Sequence, residues 1–231
     1  MNRIRTLTTI LALTTLVVAF ALLQAWAQGE GKNEPHQILI TGVNVWDGTS
    51  DSLKKGVDVL VEGNLIKRIG KIKAPKATII DGGGRTLMPG LIDMHTHLMF
   101  RYGVTVMRND FDAQAAGAAA MESALLYMQM GYTTVRDVGG NSLGLAKNIA
   151  EGRLKGPRIY SSGGAVSAIS GHNDLAMFSE SPGKDVFTQR GDTNIITGPI
   201  EAREAVRKLL RGGAAQIKIM VGGGVASNFD P

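Results

Sequence analysis

The chain has 231 residues, 44% of them hydrophobic and 19% charged, with no cysteine and a formal charge of +5. That balance belongs to a folded globular protein and excludes both a disordered chain and a disulfide-stapled scaffold. The positive charge is too mild and too scattered for a nucleic-acid footprint, and removing the N-terminal leader with Arg3 and Arg5 leaves only +3.

Met1 to Arg5 is short and basic, and Ile10 to Leu23 is apolar apart from Thr14 and Thr15. Ala25-Trp26-Ala27 then supplies small residues at the two positions a signal peptidase reads. These are the regions of a secretory signal in order, so residues 1–27 read as a leader cleaved after Ala27 and the mature protein as secreted or periplasmic. The rival reading is a membrane anchor, but a span needs about 20 apolar residues and this run is shorter. No membrane span is expected after cleavage. A lipid-modified cysteine is excluded by composition. Residues 28–36 are polar and read as a linker.

From Gln37 to about Arg85, β-branched and polar residues alternate in short runs broken by turns, at Asp47-Gly48 and at Glu62-Gly63-Asn64. The strands expected are Gln37 to Thr41, Val43 to Trp46, Val57 to Val61 and Leu65 to Ile69, making residues 37–88 a small β-sandwich portion. Residues 89–231 follow a different rule. A strand over Met88 to His95 precedes a helix over Asp112 to Gln129. A strand over Tyr132 to Val138 precedes a helix over Ser142 to Leu154. A third strand, Arg158 to Ser161, leads into a loop from Gly163 to about Gly198. Helix Pro199 to Arg211, with proline in its first turn, precedes a last strand over Ala215 to Val221. Strands alternating with helices mean a parallel sheet of the α/β class. Four strands are half of the eight that a (β/α)8 barrel needs.

Strict alternation along the first of these strands puts Leu91, Asp93, His95 and His97 on one face and Ile92, Met94, Thr96 and Leu98 on the other. The second face suits packing on helices, which would send Asp93, His95 and His97 into a barrel interior. Two neutral imidazoles at i and i+2 can converge on one cation, and the C-terminal end of a barrel strand is where such sites form. The plainer reading is a pair of hydrogen-bonded core histidines. On the last strand, Ile217, Ile219 and Val221 are expected to fill one face and leave Lys218 on the other. A lysine desolvated there would favour its neutral, nucleophilic form, able to take up carbon dioxide as a carbamate. A lysine that snorkels to solvent from the strand end fits the spacing equally well.

The run from Asp81 through Met88-Pro89-Gly90-Leu91-Ile92-Asp93-Met94-His95-Thr96-His97-Leu98 resembles the signature of the amidohydrolase superfamily. Gly131 to Asp137 and Gln216-Ile217-Lys218-Ile219 resemble its imidazolonepropionase-like branch, which includes Xaa-Pro dipeptidases. The resemblance covers about Gln37 to Pro231. It implies a (β/α)8 metal-dependent hydrolase barrel beside a composite β-sandwich, of which about the first four barrel strands are present. It further implies two divalent metal ions, zinc by preference, with His95 and His97 as first-strand ligands and a carbamylated Lys218 bridging the pair. The implied activity is hydrolysis of an amide or peptide C–N bond in a small substrate, such as a dipeptide, by a metal-activated hydroxide.

The same resemblance calls for two later-strand histidines and a general-base aspartate, which would all lie beyond Pro231. His36 and His172 stand in the wrong places to replace them. The alternative is a truncated, non-catalytic metal-binding or interaction domain. Were Pro231 the natural end, the chain would have negligible hydrolase activity and an unpaired strand edge open to association into homo-oligomers. His172, in Ser170-Gly171-His172-Asn173-Asp174, resembles a glycine-histidine loop near the substrate in that branch, against the reading of an ordinary surface histidine. Gly222-Gly223-Gly224 has no lysine-serine or lysine-threonine pair after it and is no P-loop; it reads as room for substrate. Asp137 reads as a hydrogen-bonded strand end rather than a ligand.

Overall fold

In the computed structural model the described residues are 35–224, so the leader, most of the linker and the last seven residues of the sequence fall outside them. Two compact units meet in the chain between Pro89 and Gly90.

The first unit is a five-stranded sheet. Strands β1 (Gln37–Val45), β2 (Lys54–Glu62) and β3 (Leu65–Gly70) form an antiparallel meander. β4 (Thr78–Asp81) and β5 (Thr86–Leu87) pair in parallel with β1. The two runs expected as separate strands, Gln37 to Thr41 and Val43 to Trp46, are one strand with a register irregularity between Ile40 and Val43. Alternation gives the sheet two apolar faces: Leu39, Leu60 and Ile72 cluster together, and Val43, Val45 and Val59 form another group.

The second unit begins with β6 (Leu91–Thr96), followed by α1 (Val104–Asp110), α2 (Ala113–Gln129), β7 (Tyr132–Asp137) and α3 (Leu143–Ala150). It continues with β8 (Arg158–Ser161), β9 (Ala165–Ala168), α4 (Val186–Arg190), β10 (Thr193–Ile196), α5 (Pro199–Arg211) and β11 (Ile219–Met220). Helix α2 starts where the Asp112 carboxylate accepts from the Ala115 N–H at 2.8 Å. Its buried stripe is Ala116, Ala120 and Ala124, one residue per turn, and these small side chains let the helix lie close over Val135. Helix α3 stops four residues sooner than the apolar pattern suggests, because the N–H groups of both Arg153 and Leu154 turn back to the Asn148 carbonyl.

β6, β7 and β8 pair in parallel, and β9 pairs in parallel with β10 on one side and β11 on the other. The long loop expected between Gly163 and Gly198 is therefore mostly ordered: β9, α4 and β10 occupy it. β8 and β9 act as one strand bent at Ser162-Gly163-Gly164. Gly163 has a φ of +65°, and a β-carbon on Gly164 would come within 2.4 Å of the Gly191 carbonyl oxygen. The segment leading into β11 follows the bend, with the Ala215 N–H on the Ser161 carbonyl and the Val166 N–H on that of Lys218. Its regular pairing contracts to Ile219–Met220, and Ile219 and Val221 are exposed rather than filling a face. Among the described residues the parallel strands form an open array and no closed barrel, and no helix is long and apolar enough to cross a membrane.

Candidate metal centre

β6 does not alternate as a regular strand would. Its register against β7 runs Asp93 with Val135 and then Thr96 with Asp137, so Met94 and His95 together face Arg136. This bulge turns Asp93 away from the histidines. The Tyr127 hydroxyl of α2 donates to the Asp93 carboxylate at 2.8 Å and lies 2.7 Å from the Thr96 hydroxyl, so Asp93 and Thr96 reach the same atom. The other Asp93 oxygen accepts from the His95 N–H at 2.9 Å. Asp93 is thus a brace for the strand and not a third inward group. Ile92 and Met94, expected to be covered by helices, are 58% and 56% exposed, on the strand that is the edge of its sheet among the described residues.

His95 and His97 stand with ring centroids 5.3 Å apart, nearly edge to face. Both are exposed in the open array that the described residues form. His97 is packed on one side, with Phe100 6.0 Å away and a hydrogen bond to the Gly139 backbone. Partial desolvation holds the His97 ring below the ordinary histidine range, and positive charge on His95, Lys218 and His172 pushes the same way; the bond to Gly139 opposes them. His97 thus stands beside His95 and shares a cavity with His172.

Gly139 is required by this packing. A β-carbon there would sit 2.9 Å from His97 Nδ1. Gly139→Ala is expected to push the imidazole off its seat and weaken zinc binding by about tenfold without deleting a ligand, the scale seen for residues that orient ligands. Isothermal titration with zinc checks this, and unchanged affinity would remove Gly139 from the site.

His172 is half-buried at the head of a tight turn. Asp174 accepts from the Ser170 N–H at 2.9 Å, and the Asp174 N–H donates to the Gly171 carbonyl at 2.8 Å. His172 Nδ1 is buried without a hydrogen-bond partner. Its ring fills the space beside Gly224, where a β-carbon would lie 2.0 Å from Nδ1. Gly224, the last glycine of the run after β11, thus makes room for a histidine ring. His97 and His172 line one cavity of about 340 Å³ with Phe100, Val104, Leu175 and Met220. His36 lies in the first unit, 3.2 Å from the Thr78 hydroxyl.

Asp137 is fully buried at the end of β7. It accepts from the Leu98 N–H at 3.3 Å and from the Ser142 hydroxyl, which is 2.7 Å from that of Ser161. This ties the end of β6 to β7, to the start of α3 and to β8, as expected of a hydrogen-bonded strand end. Burial pushes the carboxyl up to about 7, against hydrogen bonds that pull it down. Its folded-state pKa is thus raised, so the native chain holds a proton that the unfolded chain gives up. Stability should fall as pH rises from about 4 to about 7 through this group. Asp137→Asn should flatten that slope, while Asp137→Leu should cost about 1–3 kcal/mol by stranding the Leu98 N–H. Urea unfolding of the three proteins across that range is the measurement, and parallel slopes for wild type and Asp137→Asn would refute the assignment.

Among the described residues no three histidine, aspartate or glutamate side chains converge as a ready cation cage. The donor chemistry nonetheless suits a divalent ion: two adjacent imidazoles, a nearby amine and a buried histidine nitrogen with no partner.

The amidohydrolase family model matches residues 86–231. An ochratoxinase from Aspergillus niger is 36% identical over 162 residues, covering 62% of this chain and 32% of that enzyme. A crystal structure of a prolidase complexed with N-methylphosphonate-L-proline superposes with a TM-score of 0.75 at 32% identity, covering 84% of this chain and 49% of the other. A Xaa-Pro dipeptidase with methionine bound in its active site gives a TM-score of 0.70 at 31% identity, over 83% and 48%. The chain spans about half the length of these solved relatives.

Proposed function

The chain belongs to the amidohydrolase family, and from that premise we propose that it carries the first part of an exported, metal-dependent hydrolase that cleaves an amide C–N bond of a small substrate such as a dipeptide. The observation that carries the reading is the side-by-side placement of His95 and His97, with His172 lining the same cavity as His97. The ochratoxinase and prolidase likenesses supply the bond type. The barrel architecture, of which β6, β7, the bent β8–β9 strand and β11 would be the first four strands, follows from the family. Export rests on the basic start, apolar stretch and Ala25-Trp26-Ala27 of the leader.

His95 and His97 would hold one divalent ion, zinc by preference, through nitrogens not engaged with the backbone. Lys218, on adding carbon dioxide at its amine and releasing a proton, would carry a carbamate, an anionic oxygen donor for a pair of such ions. When bound, such ions supply Lewis acidity toward an amide carbonyl and acidify water. The residues of this chain do the rest by position: Gly139 seats His97, Asp93 braces the His95 backbone, and the Ser170–Asp174 turn holds His172 beside His97 for substrate contact.

Elemental analysis after zinc loading in bicarbonate tests this reading. The wild-type chain is expected to take up zinc in amounts that Lys218→Ala roughly halves, as loss of a bridge between two ions requires. Equal content in both proteins would remove the bridging role, and no uptake by either would sink the metal reading.

A further inference from the structure

We propose, resting on the hydrolase reading above, that the cavity beside His97 selects substrates by an uncharged, apolar side chain about the size of leucine, methionine or phenylalanine. The cavity holds about 340 Å³, at the small end of ligand pockets and enough for one such side chain with its amide. Phe100, Tyr102 and Val104 supply one wall, Leu175 another, and Met220 closes the end at β11. Apart from the two imidazoles, Asn173 and the hydroxyl of Tyr102, which donates to Glu122 at 2.8 Å, the lining is apolar, and it contains no aspartate, glutamate, lysine or arginine. A cationic side chain entering it would lose hydration and find no counter-charge. An apolar one would lose only ordered water.

The walls are also held in place before any ligand arrives. Arg108 of α1 donates from Nη2 to the Leu175 carbonyl, and its Nη1 lies 3.1 Å from Met177 Sδ, so α1 is tethered to the His172 segment. Phe187, fully buried, stacks at 6.2 Å against Phe100 and lies under both Arg108 and Arg190, at 5.7 and 4.8 Å. Arg190 Nη1 in turn donates to the Met107 and Phe111 carbonyls at 3.0 and 2.7 Å, fixing the far end of α1. A cavity with both walls so tied offers its shape without an ordering cost, and that favours discrimination by side-chain character.

The test uses the zinc-loaded 231-residue chain with N-acetyl-L-phenylalaninamide, N-acetyl-L-leucinamide and N-acetyl-L-lysinamide, their binding followed by saturation-transfer NMR. The two apolar amides should bind about tenfold or more tightly than the lysine amide. Val104→Lys and Met220→Lys, each checked for folding by circular dichroism, should lose the tight binding of the apolar amides. Equal binding of all three amides by the wild type, or undiminished binding of the apolar amides by a folded lysine variant, would overturn the assignment. Zinc uptake is measured alongside. Zinc uptake without side-chain preference defeats the cavity proposal alone, whereas preference in a chain that takes up no zinc defeats the metal-dependent reading and leaves the selectivity standing.

Discussion

Replacing His97 with alanine is expected to lower the zinc affinity of the chain by about two orders of magnitude or more, the scale of losing a ligand outright. His97 is the member of the group with the most fixed ring, held between Phe100 and the Gly139 backbone, and it is the one that feels the charge of the other three. His95 shares the metal face but lacks that packing, so His95→Ala should fall short of the His97 effect while remaining well above background. His36→Ala is the control, because His36 belongs to the first unit and touches Thr78. Competition with a chromogenic chelator gives the affinities. Wild-type affinity in His97→Ala would refute the placement of the metal on β6.

The largest stability effect is expected at Phe187. Its ring has no solvent exposure and is enclosed by Phe100 and two guanidinium groups. Truncating such a ring to alanine costs about 3–5 kcal/mol, through lost transfer energy and the cavity left behind. Each cation over the ring adds about 0.5–2 kcal/mol to what is lost. The damage should spread further than one side chain. Arg190 is 6% exposed and pairs at 2.7 Å with Asp192, whose carboxyl burial already pushes up, so a loosened Arg190 leaves a buried charge unpaired. Phe178, 94% exposed, is the matched control, and Phe178→Ala should stay within about 0.5 kcal/mol of wild type. Urea unfolding would show both, and similar midpoints for the two variants would contradict this account of the core.

Where local chemistry decides, the residues could be read directly. Asp112 caps α2 and Pro199 opens α5 at the positions their side chains prefer, and β1 to β3 follow the alternation of their residues. The runs Ala165–Ala168 and Thr193–Ile196 are too short and too polar in their flanks to announce themselves; they are strands because each finds the other, with β11 beside β9. The bulge at Met94 and His95 carries no glycine and no special residue, so alternation assigned Asp93 to the wrong side. In the site itself, the histidine pair and Lys218 stood out by residue type. The approach of His172 to His97, the seat at Gly139 and the knot of Asp137 with Ser142 and Ser161 join residues far apart in the chain, and only folding reveals them.

The bend at Ser162-Gly163-Gly164 has a consequence for how the second unit comes apart. Because one strand lends its first half to β7 and its second half to β10 and β11, neither sheet owns a complete set of strands. Peeling β10 away strips β9, and the strain passes through two glycines into β8 and on to Asp137. The two sheets thus share the bent strand, which couples the opening of one to the other. Fraying of the β11 end is thereby felt, through Lys218 and the Val166 amide bonded to its carbonyl, in the same backbone that supports the histidine pair.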